Sequence, residues 1–322
     1  MRRVRVGVIG VGHLGRFHAE KFARLPGVEL AGVADIVEER ARRIGEVHRV
    51  FWTTDYRNLL PRVEALSIVT PTVTHYEIAR DCLSAGKHLF VEKPLTEHPE
   101  TAAELVELAE KKGLVLQVGH IERFQPSIKR LLSRVRRPLF VEAHRLSGFS
   151  PRALDVDVIL DLMIHDLDLL LALNPEGGVR SMLVAGAPVL SPRIDIASVR
   201  ILFDNGLSAN LTASRISLTP QRRFRVFEPG GYFSADTLKR RYFEVRLGEK
   251  GQLTPLEESF PEADPLQEEL AEFVRSVAEG RDPPVSGREA LRALELAHRI
   301  KEEIQDYLRL CGEELRFESL KF

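Results

Sequence analysis

The stretch that decides the fold is VRVGVIGVGHLG, residues 4–15. Its first half is rich in β-branched residues and predicts a buried strand. Its second half has the spacing G-x-G-x-x-G, with Gly10, Gly12 and Gly15 where the strand gives way to a predicted helix. Such a loop turns tightly, lets a diphosphate approach the backbone and allows the helix to pack closely on the strand. The stretch therefore predicts a dinucleotide-binding βα unit, with phosphates at the N-terminus of the helix.

The remainder of residues 1–120 continues this pattern, because short β-branched runs alternate with amphipathic stretches. The predicted strands cover residues 4–10, 28–34, 65–70, 88–92 and 115–118. The predicted helices cover residues 13–25, 36–47, 74–85 and 99–112. Alternation of this kind is typical of βαβ units on a parallel sheet. We predict an α/β protein whose N-terminal Rossmann domain, residues 1–120, has a doubly wound parallel sheet.

The pattern changes after residue 120. Helices are predicted over 125–137, 157–173, 265–279 and 287–308, and a strand over 139–146. Strand-like runs fill residues 179–247, and the clearest hairpin joins residues 194–203 to 207–213 through Asp204-Asn205-Gly206. We predict a C-terminal α+β domain, residues 121–322, with an open-faced mixed or antiparallel sheet for substrate binding and oligomerisation. The helix over 287–308 is expected to pack back on the Rossmann domain.

The charge balance, the cysteine count and the lack of long apolar runs limit the kinds of partner that the protein is expected to bind. The 46 basic and 47 acidic residues nearly balance, so no overall field attracts nucleic acid or an anionic membrane. Cys82 and Cys311 are too few for a disulfide framework and are badly spaced for a metal site. No apolar run approaches the ~20 residues of a membrane helix. We expect a cytoplasmic protein with no metal, and the apolar face of an open sheet predicts a homodimer or homotetramer.

Asp35 stands at the end of the second predicted strand, twenty residues beyond the glycine loop. A carboxylate at this position accepts hydrogen bonds from an adenosine ribose and repels a 2′-phosphate, so the cofactor is predicted to be NAD rather than NADP. The alternative is that Asp35 caps the next helix, which does not exclude the first role. Arg40, Arg42 and Arg43 either soften the preference or form a solvated helix face.

Lys93, within Glu92-Lys93-Pro94, follows a strand at the carboxyl edge of the predicted sheet, where open α/β folds bind their ligands. A lysine there can donate to a substrate oxygen or relay a proton. The alternative is a surface lysine in a loop. The Lys93–Pro94 bond can be cis at modest cost, which sequence does not decide.

Asp161 and His165 are four residues apart in a predicted amphipathic helix and therefore share a face, with Asp168 close to it. A carboxylate beside an imidazole helps to hold a proton donor or acceptor, which suits a reaction in which an alcohol loses its proton as its hydride leaves. The alternative is an ordinary polar stripe. No recognisable metal-ligand set accompanies these acids.

In this order and at these separations, the glycine loop, the Glu92-Lys93-Pro94 motif and the Asp161–His165 helix resemble the glucose-fructose oxidoreductase, inositol dehydrogenase and rhizopine-catabolism (Gfo/Idh/MocA) family. The resemblance implies an NAD-dependent dehydrogenase with the substrate between a Rossmann domain and an open-faced sheet. It implies catalytic roles for Lys93, Asp161 and His165.

The resemblance and the motifs together give the expected binding residues. Those for the cofactor are Gly10, Gly12, His13, Leu14, Gly15, Asp35, Thr70, Pro71, His75, Glu92, Lys93 and Pro94. Those for the substrate are Lys93, His120, Arg123, Asp161 and His165. The chain departs from many members at residues 155–158, where a glycine-rich entry is usual, and at Met163, where a glycine is usual.

Residues 118–126 and 155–166 are most similar to a branch of the family that oxidises the 3-hydroxyl of UDP-N-acetylglucosamine. Arg123 and the basic run of Lys129, Arg130 and Arg134 are candidates to hold its diphosphate, although a solvated helix face is the alternative for the run. Three other functions stay open. They are a simple polyol or inositol dehydrogenase, a reductase of an imine or a non-sugar carbonyl, and a non-catalytic NAD-binding sensor or regulator.

Overall fold

A computed structural model describes residues 3–149 and 156–310. Cys311 and Asp155 lie outside the described residues. The chain divides into two compact units, of which the first contains residues 1–124 and 264–291 and the second contains residues 125–263 and 292–322. Every helix in the described part of the chain is too short or too polar to cross a membrane.

The first unit contains a parallel six-stranded sheet. Its strands are β1 (Val4–Ile9), β2 (Val28–Ala34), β3 (Phe51–Thr53), β4 (Ala65–Ile68), β5 (His88–Glu92) and β6 (Leu116–Gly119). Their order across the sheet is β3-β2-β1-β4-β5-β6, and all neighbours are parallel. This order confirms the predicted Rossmann fold, with the change of direction between β1 and β4. The three-residue strand β3 was not predicted, because it is too short to show periodicity.

Helices cover the sheet of the first unit. They are α1 (Gly15–Arg24), α2 (Glu38–His48), α3 (His75–Ser84), α4 (Pro99–Lys111) and, from late in the chain, α7 (Pro265–Glu279). Leu270, Phe273 and Val274 of α7 belong to the same buried apolar cluster as Phe22 of α1 and Val6 of β1. The segment 264–291 therefore lies in the first unit, although the domain prediction assigns it to the second domain.

The second unit contains an eight-stranded mixed sheet. Its strands are β7 (Phe140–Leu146), β8 (Val179–Ala187), β9 (Ile196–Phe203), β10 (Ser208–Ser214), β11 (Gln221–Glu228), β12 (Gly231–Asp236), β13 (Arg241–Leu247) and β14 (Leu253–Ser259). Their order is β14-β13-β12-β11-β7-β10-β9-β8, and only the β7–β10 pair is parallel. The predicted hairpin is confirmed as β9 and β10, which pair antiparallel.

Helices of the second unit include α5 (Pro126–Arg134) and α6 (Ile164–Leu173). Helix α8 (Gly287–Leu310) has its first five residues in the first unit and the rest in the second. Along β7 the side chains alternate between buried and half-buried, so one face of the sheet carries the core and the other is open.

Candidate active site

The glycine loop follows β1 in the first unit, and two of its glycines have no room for a side chain. Gly10 has a φ of +83°, and a Cβ there would lie 2.5 Å from the carbonyl oxygen of Val69. A Cβ on Gly15 would lie 1.8 Å from the carbonyl oxygen of Gly10. These two glycines therefore bring the loop, the loop after β4 and the start of α1 together.

Gly12 differs, because a Cβ there would meet only open space and the Nη1 atom of Arg40 at 3.9 Å. Within the described residues, no side chain caps the N-terminus of α1. His13 and Leu14 lie between Gly12 and the helix, and Leu14 is 54% exposed. An open backbone approach, uncapped helix N–H groups and a nearby guanidinium suit a diphosphate, so these residues fit a bound dinucleotide.

Asp35 follows β2 and is 8% exposed. Its Oδ2 accepts a hydrogen bond from the backbone N–H of Val11 at 3.0 Å, and its Oδ1 accepts one from Val37 at 2.9 Å. The N-cap of α2 is Val37, so Asp35 does not cap that helix as the alternative interpretation requires. A carboxylate has about four lone-pair sites, so two contacts leave capacity for ribose hydroxyls.

Lys93 lies in the turn after β5, where its bond to Pro94 is cis. The imidazole of His75 lies between this turn and the loop after β4: Nδ1 is 3.0 Å from the Pro94 carbonyl oxygen, and Nε2 is 2.9 Å from that of Thr70. Burial lowers the pKa of His75, against the opposing effect of its backbone hydrogen bonds to Thr70 and Pro94. A neutral imidazole carries one N–H, which it donates to one carbonyl at a time. His75 thus supports the cofactor loop from the interior of the unit.

The loop that His75 supports has its own hydroxyl contacts. The Thr74 hydroxyl lies 2.8 Å from both the Thr70 hydroxyl and the Pro71 carbonyl oxygen. These bonds fix the conformation of the turn between β4 and α3.

His120 and Arg123 follow β6, also in the first unit. His120 is 1% exposed, and Arg123 belongs to a short 3₁₀ helix, Ile121–Phe124. The Nη2 atom of Arg123 lies 3.4 Å from Oε1 of Glu289, whose other oxygen accepts from the backbone N–H of Ser286 at 2.9 Å. Arg123 is therefore tied to the start of α8.

Asp161 and His165 lie in the second unit, at a place where the structure differs from the predicted helix. Residues Ile159–Met163 form a π-helical turn, and α6 begins only at Ile164. Residues 164–171 are all buried, so the prediction of an amphipathic helix is wrong. Its residues are buried around the whole helix, and Asp166 is paired with Arg145 of β7, with Nη2 to Oδ1 at 2.8 Å. Single π-helical turns within helices are common at functional sites.

Asp157 fixes the start of this π-helical turn. Its Oδ1 accepts from the backbone N–H groups of Ile159 and Leu160 at 3.1 and 3.0 Å, and its Oδ2 lies 3.3 Å from Nζ of Lys301 on α8. Arg215 holds the preceding residue through a 2.8 Å bond to the Val156 carbonyl oxygen.

Arg215 is itself paired with Asp195, whose side chain is fully buried, at 2.7 Å. Asp195 also accepts hydrogen bonds from the hydroxyl of Ser191 and from the backbone N–H groups of residues 189–191. Although burial opposes it, these bonds and the Arg215 guanidinium hold the pKa of Asp195 below its usual value. The segment that leads to Asp161 is therefore held by a buried ion pair.

Two guanidinium groups of the basic run on α5 have carboxylate partners in the second unit. Arg130 pairs with Glu258 at 2.8 Å, and Arg134 makes two bonds to Glu244 at 2.6 and 2.9 Å. These contacts favour the alternative of a solvated helix face for Arg130 and Arg134, whose side chains are 37% and 36% exposed.

Three contacts were not predicted from the sequence: that of His18 Nε2 with Glu92 Oε1 at 3.1 Å, the Asp157–Lys301 pair and the Asp195–Arg215 pair. His18 is the most accessible to sequence reasoning, because it lies on the buried face of α1. The two pairs join residues 144 and 20 positions apart, and no local pattern indicates them.

Comparison with known proteins agrees with this geometry. Residues 4–120 match the model of an oxidoreductase family with an NAD-binding Rossmann fold, GFO_IDH_MocA. UDP-N-acetylglucosamine 3-dehydrogenase of Acidithiobacillus ferrooxidans is 38% identical over 96% of this chain and all of that protein. A solved structure of that enzyme matches with a TM-score of 0.89 at 37% identity, again over 96% of this chain and all of that one. The scyllo-inositol 2-dehydrogenase (NAD(+)) of Bacillus subtilis is 30% identical over 91% of this chain and 92% of its own length.

Fold, glycine loop and similarity define an oxidoreductase with an NAD-binding Rossmann domain. The chain belongs to the Gfo/Idh/MocA family. The resemblance inferred from the three motifs is confirmed.

Proposed function

We propose that the protein oxidises the 3-hydroxyl of UDP-N-acetylglucosamine to a ketone with NAD. The observation that carries this proposal is full-length similarity, at 38% identity, to an enzyme named for that reaction. The local resemblance of residues 118–126 and 155–166 to the same branch of the family is consistent with it. We place the reaction in the cytoplasm, where NAD is available.

NAD is favoured over NADP because a buried carboxylate, Asp35, stands beside the glycine loop. A 2′-phosphate there would place two negative groups together at a poorly solvated position. Arg40 opposes this preference, since its guanidinium lies near Gly12 on the same side of the loop. We expect NAD to bind more tightly, with some NADP binding retained.

When bound, NAD supplies the hydride acceptor for the oxidation. The protein must remove the hydroxyl proton as the carbon–oxygen double bond forms. We assign this proton to His165, with Asp161 orienting the imidazole and Lys93 donating a hydrogen bond to the substrate oxygen. The alcohol loses one hydride and one proton, so the oxidation balances without a further reactant.

Arg123 is the residue that we assign to the substrate diphosphate. Its side chain is 12% exposed, and its contact with Glu289 restricts its movement. A guanidinium held in this way binds phosphate oxygens in a fixed geometry at little entropic cost.

The test is to mix the purified protein with NAD and UDP-N-acetylglucosamine, follow NADH absorbance and identify the product by mass spectrometry. We expect NADH and a product two mass units below the substrate. Arg123→Ala should raise KM for the UDP-sugar more than it lowers kcat, because it removes binding rather than chemistry.

N-acetylglucosamine, UDP-glucose and inositols are the matched controls. Higher kcat/KM for an inositol than for the UDP-sugar would replace the proposal with a polyol dehydrogenase. Absence of NADH formation with every substrate, together with tight NAD binding, would favour a sensor.

We further propose a homodimer formed through the open face of the second sheet. Aromatic rings cross four neighbouring strands on this face, with centroids 5.5 Å apart for Phe140–Phe227, 5.1 Å for Phe227–Tyr232 and 6.1 Å for Tyr232–Phe243. A continuous half-buried aromatic stripe suits burial against a second copy. Sedimentation should give a dimer or larger species, and Phe227→Glu should shift it towards the monomer. A monomeric unmutated protein at micromolar concentration would contradict this.

A further inference from the structure

A buried chain of three polar side chains connects α1 to the turn that contains Lys93. The Ser67 hydroxyl of β4 lies 2.9 Å from Nδ1 of His18, and Nε2 of His18 lies 3.1 Å from Oε1 of Glu92. The second carboxylate oxygen, Oε2, accepts from the backbone N–H of Lys93 at 3.3 Å. His18 and Ser67 are 1% and 0% exposed. The glycine-loop helix and the lysine turn are thus linked through side chains.

The surroundings of Glu92 show that this arrangement is closely fitted. A Cβ on Gly119 would lie 2.8 Å from Oε2 of Glu92, so the carboxylate occupies space that only a glycine leaves open. The imidazole of His18 packs edge-on against the ring of Phe90, with centroids 5.5 Å apart.

Charge also favours the pairing. Burial raises the pKa of Glu92, but the hydrogen bond from His18 and the charges of His18 and Lys93 outweigh it, so the pKa lies below the usual value. Glu92 is therefore a carboxylate near neutral pH. Displacing a carboxylate with these partners costs free energy, because the carboxylate would lose charge-assisted hydrogen bonds at a poorly solvated position.

We infer that His18 is a positioning residue for the active-site lysine, acting through Glu92. Its imidazole fixes the backbone of Lys93 relative to α1, the helix whose N-terminus fits the cofactor diphosphate. The position of the lysine and the position of the cofactor are then set by one rigid element. Hydride transfer depends steeply on such alignment, since a displacement of about 1 Å can cost about 10²-fold in rate.

This inference rests on the proposed role of Lys93, but not on the identity of the sugar. Kinetics are therefore measured with whichever substrate gives the highest kcat/KM. Lys93→Ala is measured alongside, because unchanged kcat in that variant would refute the role of the lysine itself.

Two substitutions of His18 form a matched pair. The amide of His18→Gln reaches roughly the position of Nε2 and can still donate to Glu92. The shorter amide of His18→Asn reaches roughly the position of Nδ1, so it keeps the contact with Ser67 and loses that with Glu92. We expect His18→Asn to lower kcat by about tenfold or more, the usual scale for loss of a supporting contact, and His18→Gln to stay within about threefold of the unmutated protein. Similar losses in both variants would show that His18 only fills space and would overturn the inference.

A second readout needs neither substrate nor turnover. Reaction of Lys93 with an amine-directed acylating reagent, followed by peptide mass spectrometry, reports how well its turn is held. The labelling rate of Lys93 should change several-fold in His18→Asn and stay near the original in His18→Gln. Equal labelling in both variants and in the unmutated protein would overturn the inference even if activity fell.

Control variants distinguish loss of the Ser67–His18–Glu92 contacts from general destabilisation of the protein. Ser67→Ala removes the far end of the chain and should have the smallest effect of the three positions. Glu92→Gln should resemble His18→Asn, and the double variant should be little worse than either single one, because both break the same link. His48→Gln, at the exposed end of α2, should leave kcat and Lys93 labelling unchanged.

Discussion

The first unit builds its part of the candidate site mainly from backbone groups, whereas the second builds its part on ion pairs, two of which are buried. In the first unit, glycines without room for a Cβ shape the loop. His75 contacts the backbone carbonyl oxygens of Thr70 and Pro94, and Glu92 accepts a hydrogen bond from the backbone N–H of Lys93. In the second unit, Asp157–Lys301, Asp195–Arg215 and Arg145–Asp166 surround the segment that carries Asp161 and His165.

The difference follows from what each unit must hold. A diphosphate is recognised by helix N–H groups, which a loop of fixed backbone shape provides. The buried helix that carries His165 must instead have its charges neutralised, because an unpaired buried charge is very costly. The glycine loop of the first unit is visible in the sequence as a motif. The ion pairs of the second unit join residues that are far apart in the sequence, so no motif indicates them.

The largest effect on stability should come from breaking such a pair. Arg215→Met leaves Asp195 charged, fully buried and without its cation. We expect the free energy of unfolding to fall by roughly 3 kcal/mol, the lower end for a broken buried pair, because Asp195 keeps its backbone donors. Denaturant unfolding measures this directly.

The control for Arg215 is Arg299→Met, which removes an i,i+4 pair with Glu303 whose side chains are 48% and 36% exposed. It should change stability by less than about 0.5 kcal/mol. Equal effects in the two variants would remove the distinction drawn between buried pairs and surface pairs.

The next largest effects should come from the two residues proposed to act in catalysis, one from each unit. Lys93→Ala and His165→Ala should each lower kcat by about 10²-fold or more, the usual loss for a general acid or base. NAD affinity, measured by fluorescence titration, should stay similar, because neither side chain shapes the glycine loop. Normal turnover in both variants would show that the two assignments are wrong.

The sequence predicts the architecture of the first unit well, because its signals are local. Strands β1, β2 and β5 and helix α4 fall within a residue or so of the predicted bounds. Helix α7 was predicted with its observed bounds, but not its attachment to the Rossmann core. Which sheet an amphipathic helix covers depends on tertiary packing, which its own periodicity does not contain.

The candidate site shows the same limit. The motifs indicate Gly10, Asp35, Lys93 and His165 because each stands at a recognisable spacing from an element end. A search for a period of 3.6 residues does not reveal the π-helical turn. Nor does it show that Asp166 is paired with a residue on β7. Arg130 and Arg134 show a further limit, because the sequence of a basic run does not reveal its carboxylate partners on distant strands.

A smaller effect should appear in cofactor choice, where side-chain charge supplements the backbone site of the first unit. Asp35→Ser removes the carboxylate, and the ratio of NAD to NADP affinity should fall by about tenfold, corresponding to one charge-assisted hydrogen bond of about 1.5 kcal/mol. Asp35→Asn is the matched control, because it removes the charge but keeps an acceptor oxygen for one of the two backbone N–H groups, those of Val11 and Val37. Equal affinities for NAD and NADP in the unmutated protein would contradict the assignment.

A smaller effect on stability than that of Arg215→Met should come from Lys301, which tests a partly exposed pair in the second unit. Its side chain is 25% exposed, whereas that of Asp157 is 3% exposed. Lys301→Met should cost only about 0.5–1 kcal/mol, because Asp157 keeps its two backbone N–H donors and water can reach the ion pair. Thermal and denaturant unfolding give the value.

Variants of Asp157 decide whether the lysine or the backbone bonds hold the start of the π-helical turn. Asp157→Asn keeps an acceptor for Ile159 and Leu160 but loses the charge, so it should resemble Lys301→Met. Asp157→Ala loses both contacts and should cost about 1–2 kcal/mol, as expected for removal of a capping side chain. If Lys301→Met lowers the free energy of unfolding as much as Asp157→Ala, the ion pair rather than the capping bonds fixes the segment that leads to His165. The second unit would then depend on charge even where water reaches the ion pair.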